Sequence, residues 1–212
     1  MNISIKKSYE IFCTIIFAIG FIFQFLVIQE RVGIDGMTWF QSIAKTLSYM
    51  TIWTNIILFV TFILLTFNKI NHFKPSYFSA LLTYIAIVGV VYHVALAHLW
   101  TPTGYLLVTD RIFHTYGPLL YLIYWLFFTK KTPLDYTLSL KWVWYPTVYT
   151  IFFMILGLTT HNYPYPIFNL DTLPFLTVFR NLFMNLMTYI VFGAIIIATN
   201  NFISKRKGEV VA

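Results

Sequence analysis

The chain has 212 residues, of which 59% are hydrophobic, 20% are aromatic and only 10% are charged, and its formal net charge is +7. A soluble domain of this length usually carries about a quarter charged residues, so the composition excludes a water-facing globule and predicts a single membrane domain. Cys13 is the single cysteine, which excludes an intrachain disulfide.

Six apolar runs predict six membrane-spanning helices, because a span needs about 20 mostly apolar residues. Short polar or proline-containing stretches separate these runs, so we predict one all-α domain, a bundle of six transmembrane helices over residues 1–212. In chain order the predicted spans are about Ser8–Ile28 (8–28), Leu47–Phe67 (47–67), Tyr77–Trp100 (77–100), Thr109–Phe128 (109–128), Trp142–Thr159 (142–159) and Pro174–Thr199 (174–199).

The distribution of Lys and Arg predicts the orientation of the six spans. An even number of spans puts both termini on one side, and cytoplasmic segments carry an excess of basic residues. Most of the 14 basic residues fall on the side of the termini: Lys6, Lys7, Lys69, Lys74, Lys130, Lys131, Lys141, Lys205, Arg206 and Lys207. We therefore expect both termini in the cytoplasm and membrane lipids as partners, whereas a nucleic-acid partner is not expected.

Polar side chains of four spans fall at one depth below the outer surface. At about 1.5 Å per residue, Thr51, Asn55 and His114 lie in the outer half of their helices. The end of the third span and the start of the sixth add more polar groups there: Tyr92, His93, His98, Arg180, Asn181 and Asn185. Such groups need partners in lipid, so we expect these faces to look inward at each other.

Two interpretations of these polar residues compete. Ser, Thr and Asn often serve only as hydrogen-bonding groups between helices, each worth about 1 kcal/mol or less. A histidine inside a span indicates function more strongly. His93 fits a structural role as well as a functional one, whereas His114 favours function because of the pattern around it.

Five short stretches occur in order along the chain: TIWTN (51–55), GVVYH (89–93), HTYGP (114–118), YPTVY (145–149) and YPYPIFNLD (163–171). Together they resemble the prokaryotic six-transmembrane protein family, which is related to the androgen-induced and androgen-dependent TFPI-regulating proteins of animals. The resemblance runs from about Thr38 to Asn200.

The resemblance implies an intramembrane hydrolase of lipid esters, such as fatty acid esters of hydroxy fatty acids. It implies a catalytic threonine that matches Thr51 and a catalytic histidine that matches His114, with no cofactor and no metal. Pro118 follows His114 by four positions, one fewer than in the animal pattern. The location expected for such a protein is the bacterial cytoplasmic (inner) membrane.

The residue types suit this chemistry. A threonine hydroxyl becomes a nucleophile when a base, usually histidine, accepts its proton. The oxyanion that forms needs hydrogen-bond donors, and mid-helix amides are already paired, so side chains are expected to supply them. Candidates for substrate binding or for this role are Asn55, Thr54, Tyr92, His93, Asn181 and Asn185. Asp110 and Asp171 are both candidates to orient His114.

Three alternatives remain open at this stage. The protein is non-catalytic in the first, either a transporter of lipids or small solutes or a structural partner. The second is a haem-binding electron carrier with His93 and His114 as ligands. A metal-dependent hydrolase has the least support, because His93 and His98 fall on different helix faces and no carboxylate cluster accompanies them.

Overall fold

The computed structural model describes residues 3–69 and 73–209, with side chains from 4 to 69 and from 73 to 206. Every regular element in these ranges is helical, which confirms the predicted all-α class for the described residues. The α-helices are α1 (Ile3–Gly33), α2 (Trp39–Leu47), α3 (Met50–Thr66), α4 (Pro75–Val91), α5 (Gly104–Arg111), α6 (Gly117–Phe128), α7 (Leu138–Trp142), α8 (Trp144–Thr160) and α9 (Phe175–Glu209). The chain divides into two compact units between residues 130 and 131, which we describe separately.

In the first unit α1 packs against α2, α3 and α5, and α4 packs against α3 and α6. The long apolar α1 supplies Cys13 and Phe17, both fully buried, to this interior. Several polar groups inside the unit are paired. The hydroxyl of Tyr124 donates to the buried carboxylate of Glu10 at 3.1 Å, and Lys7 donates to the carbonyl of Leu65 near the end of α3 at 2.9 Å.

The second predicted span differs from the observed helix at its start. α2 and α3 meet at an angle of 82°, so the chain turns sharply at residues 48 and 49 instead of running straight from residue 47. Thr38 begins α2 with a capping box, in which its side chain accepts from the Gln41 amide and the Gln41 side chain accepts from the Thr38 amide. A paired N-terminus of this kind makes α2 a helix in its own right.

Two π-helical turns interrupt the next helices. Tyr92–Leu96 continues α4, and Ile112–Tyr116 joins α5 to α6. In each, a backbone amide bonds the carbonyl five residues earlier: Ala97 to Tyr92, and Gly117 to Ile112. One extra residue in a turn rotates the side chains that follow it, and such turns often occur at functional sites.

In the second unit α7 and α8 pack on α9. Two amides of α9 hold the segment before α7. The Nδ2 of Asn200 donates to the Thr132 carbonyl at 2.7 Å, and Asn201 exchanges two 2.8 Å bonds with the backbone of Leu134. These side-chain bonds satisfy backbone groups that no helix pairs.

Four helical segments are long and apolar enough to cross a membrane: Ser4–Gly33, Pro75–Leu99, Leu138–Thr160 and Phe175–Arg206. The pair α2 and α3 makes a fifth if it counts as one broken span. The predicted fourth span, now α5, a π-turn and α6, is not among them. That stretch carries Asp110, Arg111 and His114, which lower its hydropathy.

Candidate functional site

A threonine and a histidine from two helices meet in the first unit. The Oγ1 of Thr51, in the first turn of α3, lies 3.2 Å from the Nε2 of His114 in the second π-turn. The His114 side chain is 15% exposed, so the pair is shielded yet still reachable. This is the pair that the resemblance singled out as nucleophile and base.

The other ring nitrogen of His114 faces the oxygens of Asp110, one helical turn earlier. Nδ1 hydrogen-bonds the Asp110 carbonyl at 3.2 Å, and it also lies 3.2 Å from the carboxylate Oδ1. Both oxygens are acceptors, so a neutral ring carries its hydrogen on Nδ1. Nε2 is then the acceptor that faces the Thr51 hydroxyl, as a general base requires.

Asp110 is itself held in place. Its side chain is 3% exposed, and its Oδ2 accepts a 2.8 Å hydrogen bond from the hydroxyl of Tyr92. That hydroxyl in turn accepts from the indole nitrogen of Trp100 at 3.2 Å. The Tyr92 ring also stacks on the His114 imidazole, with centroids 3.9 Å apart and an interplanar angle of 13°. Tyr92 therefore fixes both the carboxylate and the ring.

Pro118 and Asn55 together account for the hydrogen-bonding pattern of the second π-turn. The Gly117 amide bonds the Ile112 carbonyl, and in that register the next amide would pair with the Phe113 carbonyl. The next residue is Pro118, which has no N–H. The Nδ2 of Asn55 donates to the Phe113 carbonyl at 3.4 Å, and to the Thr51 carbonyl at 2.8 Å.

This use of Asn55 changes the role that we expected for it. Its two amide hydrogens serve the backbone of Thr51 and Phe113, and its buried Oδ1 is an acceptor. An oxyanion needs donors, so Asn55 acts in this conformation as a brace between α3 and the π-turn. It ties the helix that carries Thr51 to the turn that carries His114.

The bend before α3 places Thr51 at a helix start that the sequence did not predict. We expected Thr51 inside a continuous helix, where backbone amides are paired. It is instead the second residue of α3. The positive end of the helix dipole lies at this first turn, where the Ile52 amide already bonds the Tyr49 carbonyl at 3.1 Å.

The other predicted site residues have different partners. Thr54 is fully buried in α3, and His93 bonds the hydroxyl of Thr115 through Nε2 at 3.0 Å. In the second unit, Asn181 donates to the Ile167 carbonyl at 2.7 Å, and Asn185 is half-buried on α9. Asp171 pairs with His161 at 3.0 Å, so of the two acids proposed to orient His114, Asp110 is the one in contact with it.

Sequence reasoning missed Trp100 and Thr115, which complete the hydrogen bonds of Tyr92 and His93. Thr115 could have been found from the sequence, because it follows His114 directly and Pro118 interrupts the regular helix there. Trp100 was predicted as the last residue of the third span, but it lies in extended backbone, and no pattern in the sequence pointed to its role.

Both ring nitrogens of His114 are engaged by protein groups, so neither is free to ligate a haem iron in this conformation. Among the side chains that the structure describes, from 4 to 69 and from 73 to 206, no three His, Cys, Asp or Glu residues are grouped as metal ligands. No family model, no curated protein and no solved structure matches the chain.

Proposed function

We propose that the protein is an intramembrane hydrolase of lipid esters, such as fatty acid esters of hydroxy fatty acids, with Thr51 as nucleophile and His114 as base. The observation that carries the proposal is the 3.2 Å contact between Thr51 Oγ1 and His114 Nε2, on a ring whose Nδ1 faces Asp110. Nucleophile, base and orienting acid in this order form the constellation of hydroxyl-dependent acyl transfer.

The chemistry proceeds in two halves. In the first, the Thr51 hydroxyl gives its proton to His114 Nε2 while Oγ1 attacks the ester carbonyl. The resulting tetrahedral intermediate collapses, and the alcohol leaves with the proton from Nε2. In the second half a water gives its proton to Nε2 and attacks the acyl-threonine. The fatty acid leaves as Thr51 recovers its proton.

Two features of this chain lower the cost of the charges that form. The first-turn position of Thr51 puts Oγ1 near the positive dipole end of α3, which favours an oxyanion that forms beside it. Asp110, 3.2 Å from Nδ1, stabilises the imidazolium that appears when His114 accepts the proton. Tyr92 holds Asp110 and the ring in register.

The proposal includes the membrane setting. Six spans with both termini in the cytoplasm, in a bacterial cytoplasmic membrane, put Thr51 and His114 near the outer leaflet. The ester of a lipid lies at this depth, and water reaches it from outside. Family membership, in the prokaryotic six-transmembrane family, belongs to the same proposal and is supported by the five sequence motifs.

The test is hydrolysis of fatty acid esters of hydroxy fatty acids by purified protein in lipid vesicles. We expect Thr51→Ala and His114→Ala to lower kcat by at least about 100-fold, since each removes a group that acts in the transition state. Thr51→Ser keeps a hydroxyl and should retain measurable activity.

Thr188→Ala is the matched control, because the Thr188 hydroxyl only bonds the Met184 carbonyl of its own helix. All variants are checked for helicity by circular dichroism and for a single peak in gel filtration. Wild-type rates in both folded Thr51→Ala and His114→Ala would reject the proposal and leave a non-catalytic membrane protein.

A further inference from the structure

Helix α2 has three distinct faces. The first is polar and buried against α1: Ser42 is 0% exposed and Thr46 is 5% exposed. The Ser42 hydroxyl donates to the Ile28 carbonyl at 3.3 Å, and Arg31 donates to the Thr46 hydroxyl at 3.0 Å. The polar residues of this short helix thus face the protein.

The other two faces are exposed and opposite in character. At about 100° per residue, four apolar side chains fall together on one flank of α2, and Gln41 and Lys45 fall together on the other. The apolar flank consists of Trp39 (46% exposed), Phe40 (81%), Ile43 (43%) and Leu47 (37%). Gln41 and Lys45 are also exposed, so one flank of α2 favours an apolar environment and the other favours water.

The orientation of α2 follows from its bend against α3. The two helices meet at 82°, so a membrane-crossing α3 leaves α2 nearly parallel to the membrane surface. If α2 continued as a span, Lys45 would lie in hydrocarbon, at a cost of roughly 3 kcal/mol. If it lay in water, four large apolar side chains would be hydrated.

We propose that α2 is an interfacial helix, with Trp39, Phe40, Ile43 and Leu47 inserted among the acyl chains of one leaflet and with Gln41 and Lys45 in water. Helices of this kind place their apolar face about 5–10 Å into the boundary between headgroups and acyl chains. The aromatic residues suit this layer, and Lys45 suits its water-facing side.

The placement has a structural consequence for the candidate site. Thr51 follows Leu47 by four residues, and the Trp53 indole donates to the Leu47 carbonyl at 2.7 Å across the bend. Because Thr51 is the second residue of α3, an α2 in the interface keeps Thr51 close to the same interfacial layer. The inference about α2 does not depend on whether Thr51 performs chemistry.

Spin labels on single cysteines test the placement. Cys13 is 0% exposed, so labels are introduced both in Cys13→Ala and in the native background, where a buried thiol stays unlabelled. The lipid-facing variants are Phe40→Cys and Ile43→Cys, and the water-facing variants are Gln41→Cys and Lys45→Cys. Val60→Cys, 46% exposed in the middle of α3, gives the reference for hydrocarbon depth.

The protein is reconstituted in phosphatidylcholine vesicles, and label accessibility to oxygen and to a water-soluble nickel chelate is measured by electron paramagnetic resonance. We expect labels at 40 and 43 to favour oxygen at a depth shallower than 60, and labels at 41 and 45 to favour nickel. Equal nickel access on both flanks, or a depth equal to that of Val60→Cys on both, would overturn the proposal.

Discussion

At the scale of single residues, the site depends on how His114 is held. Its Nδ1 lies 3.2 Å from Asp110 Oδ1, and its ring stacks on Tyr92 at 3.9 Å. The Tyr92 hydroxyl reaches the same carboxylate at 2.8 Å. One tyrosine therefore constrains both the imidazole of His114 and the carboxylate of Asp110, while Nε2 faces Thr51.

Asp110→Asn should lower kcat by about 10²- to 10⁴-fold, because it removes the negative charge that stabilises the imidazolium formed when His114 accepts a proton. Asp110 does not face the substrate in this mechanism, so KM should change little. Steady-state kinetics on a lipid ester measure both constants.

The control for that variant is Asp171→Asn, since Asp171 pairs with the exposed His161. Equal losses in the two variants would contradict a positioning role for Asp110. A loss confined to KM would contradict it as well.

At the scale of the elements, close packing shapes the π-turn that carries His114. A Cβ on Gly117 would lie 3.0 Å from the Ile112 carbonyl and 3.2 Å from the Asn55 Oδ1. A Cβ on Gly33 would meet no atom within 4 Å. The two glycines therefore form a matched pair, one in a tight contact between helices and one in open space.

We predict that Gly117→Ala destabilises the protein by about 1–3 kcal/mol, because backbone and a buried amide must move to admit the methyl group. Gly33→Ala should leave stability unchanged or raise it, since alanine favours a helix over glycine. Denaturant unfolding in detergent, followed by circular dichroism, compares them. Equal stability of the two variants would show that the contact at Gly117 is not tight.

The sequence was most informative about long apolar helices and least informative about their interruptions. Hydropathy predicted the helices that contain Tyr92 and His114, yet a smooth helical projection cannot show a π-turn. Pro118 was the readable signal for the second one, because it removes a backbone donor. The bend before Met50 lacks Gly and Pro, and the capping pair of Thr38 and Gln41 indicates where α2 begins but not where it ends.

Among the site residues, Thr51 and His114 came from resemblance and depth, and the structure brings them into contact. The sequence alone could not show whether Asp110 or Asp171 contacts His114. Which acid does so depends on a helical turn that stacks residues 110 and 114, and on a loop that turns Asp171 toward His161. Trp100 lies in irregular backbone, where periodicity carries no information.

At the scale of the whole molecule, the number of membrane crossings is the prediction that still has to be tested. Four helical segments pass the length and hydropathy criteria for a span, and the bent pair α2 and α3 makes a fifth. A sixth crossing through residues 104–128 requires Asp110 and His114 to be shielded from lipid. Their mutual contact and the burial of Asp110 are consistent with such shielding.

Reporter fusions at the two ends test this topology. With six spans and basic residues on the inner side, reporters joined to the N-terminus of the full chain and after Arg206 should both be active as a cytoplasmic fluorescent protein and inactive as a periplasmic phosphatase. A fusion in the loop at Asn169 should give the reverse. Opposite signals from the two ends would mean an odd number of crossings.

Trapping the covalent intermediate tests the central claim most directly. The purified protein is treated with an activated lipid ester, digested and analysed by peptide mass spectrometry. The account predicts an acyl group on Thr51, absent from Thr51→Ala and strongly reduced in His114→Ala. An acyl group on another residue, or equal labelling of the His114→Ala protein, would contradict it.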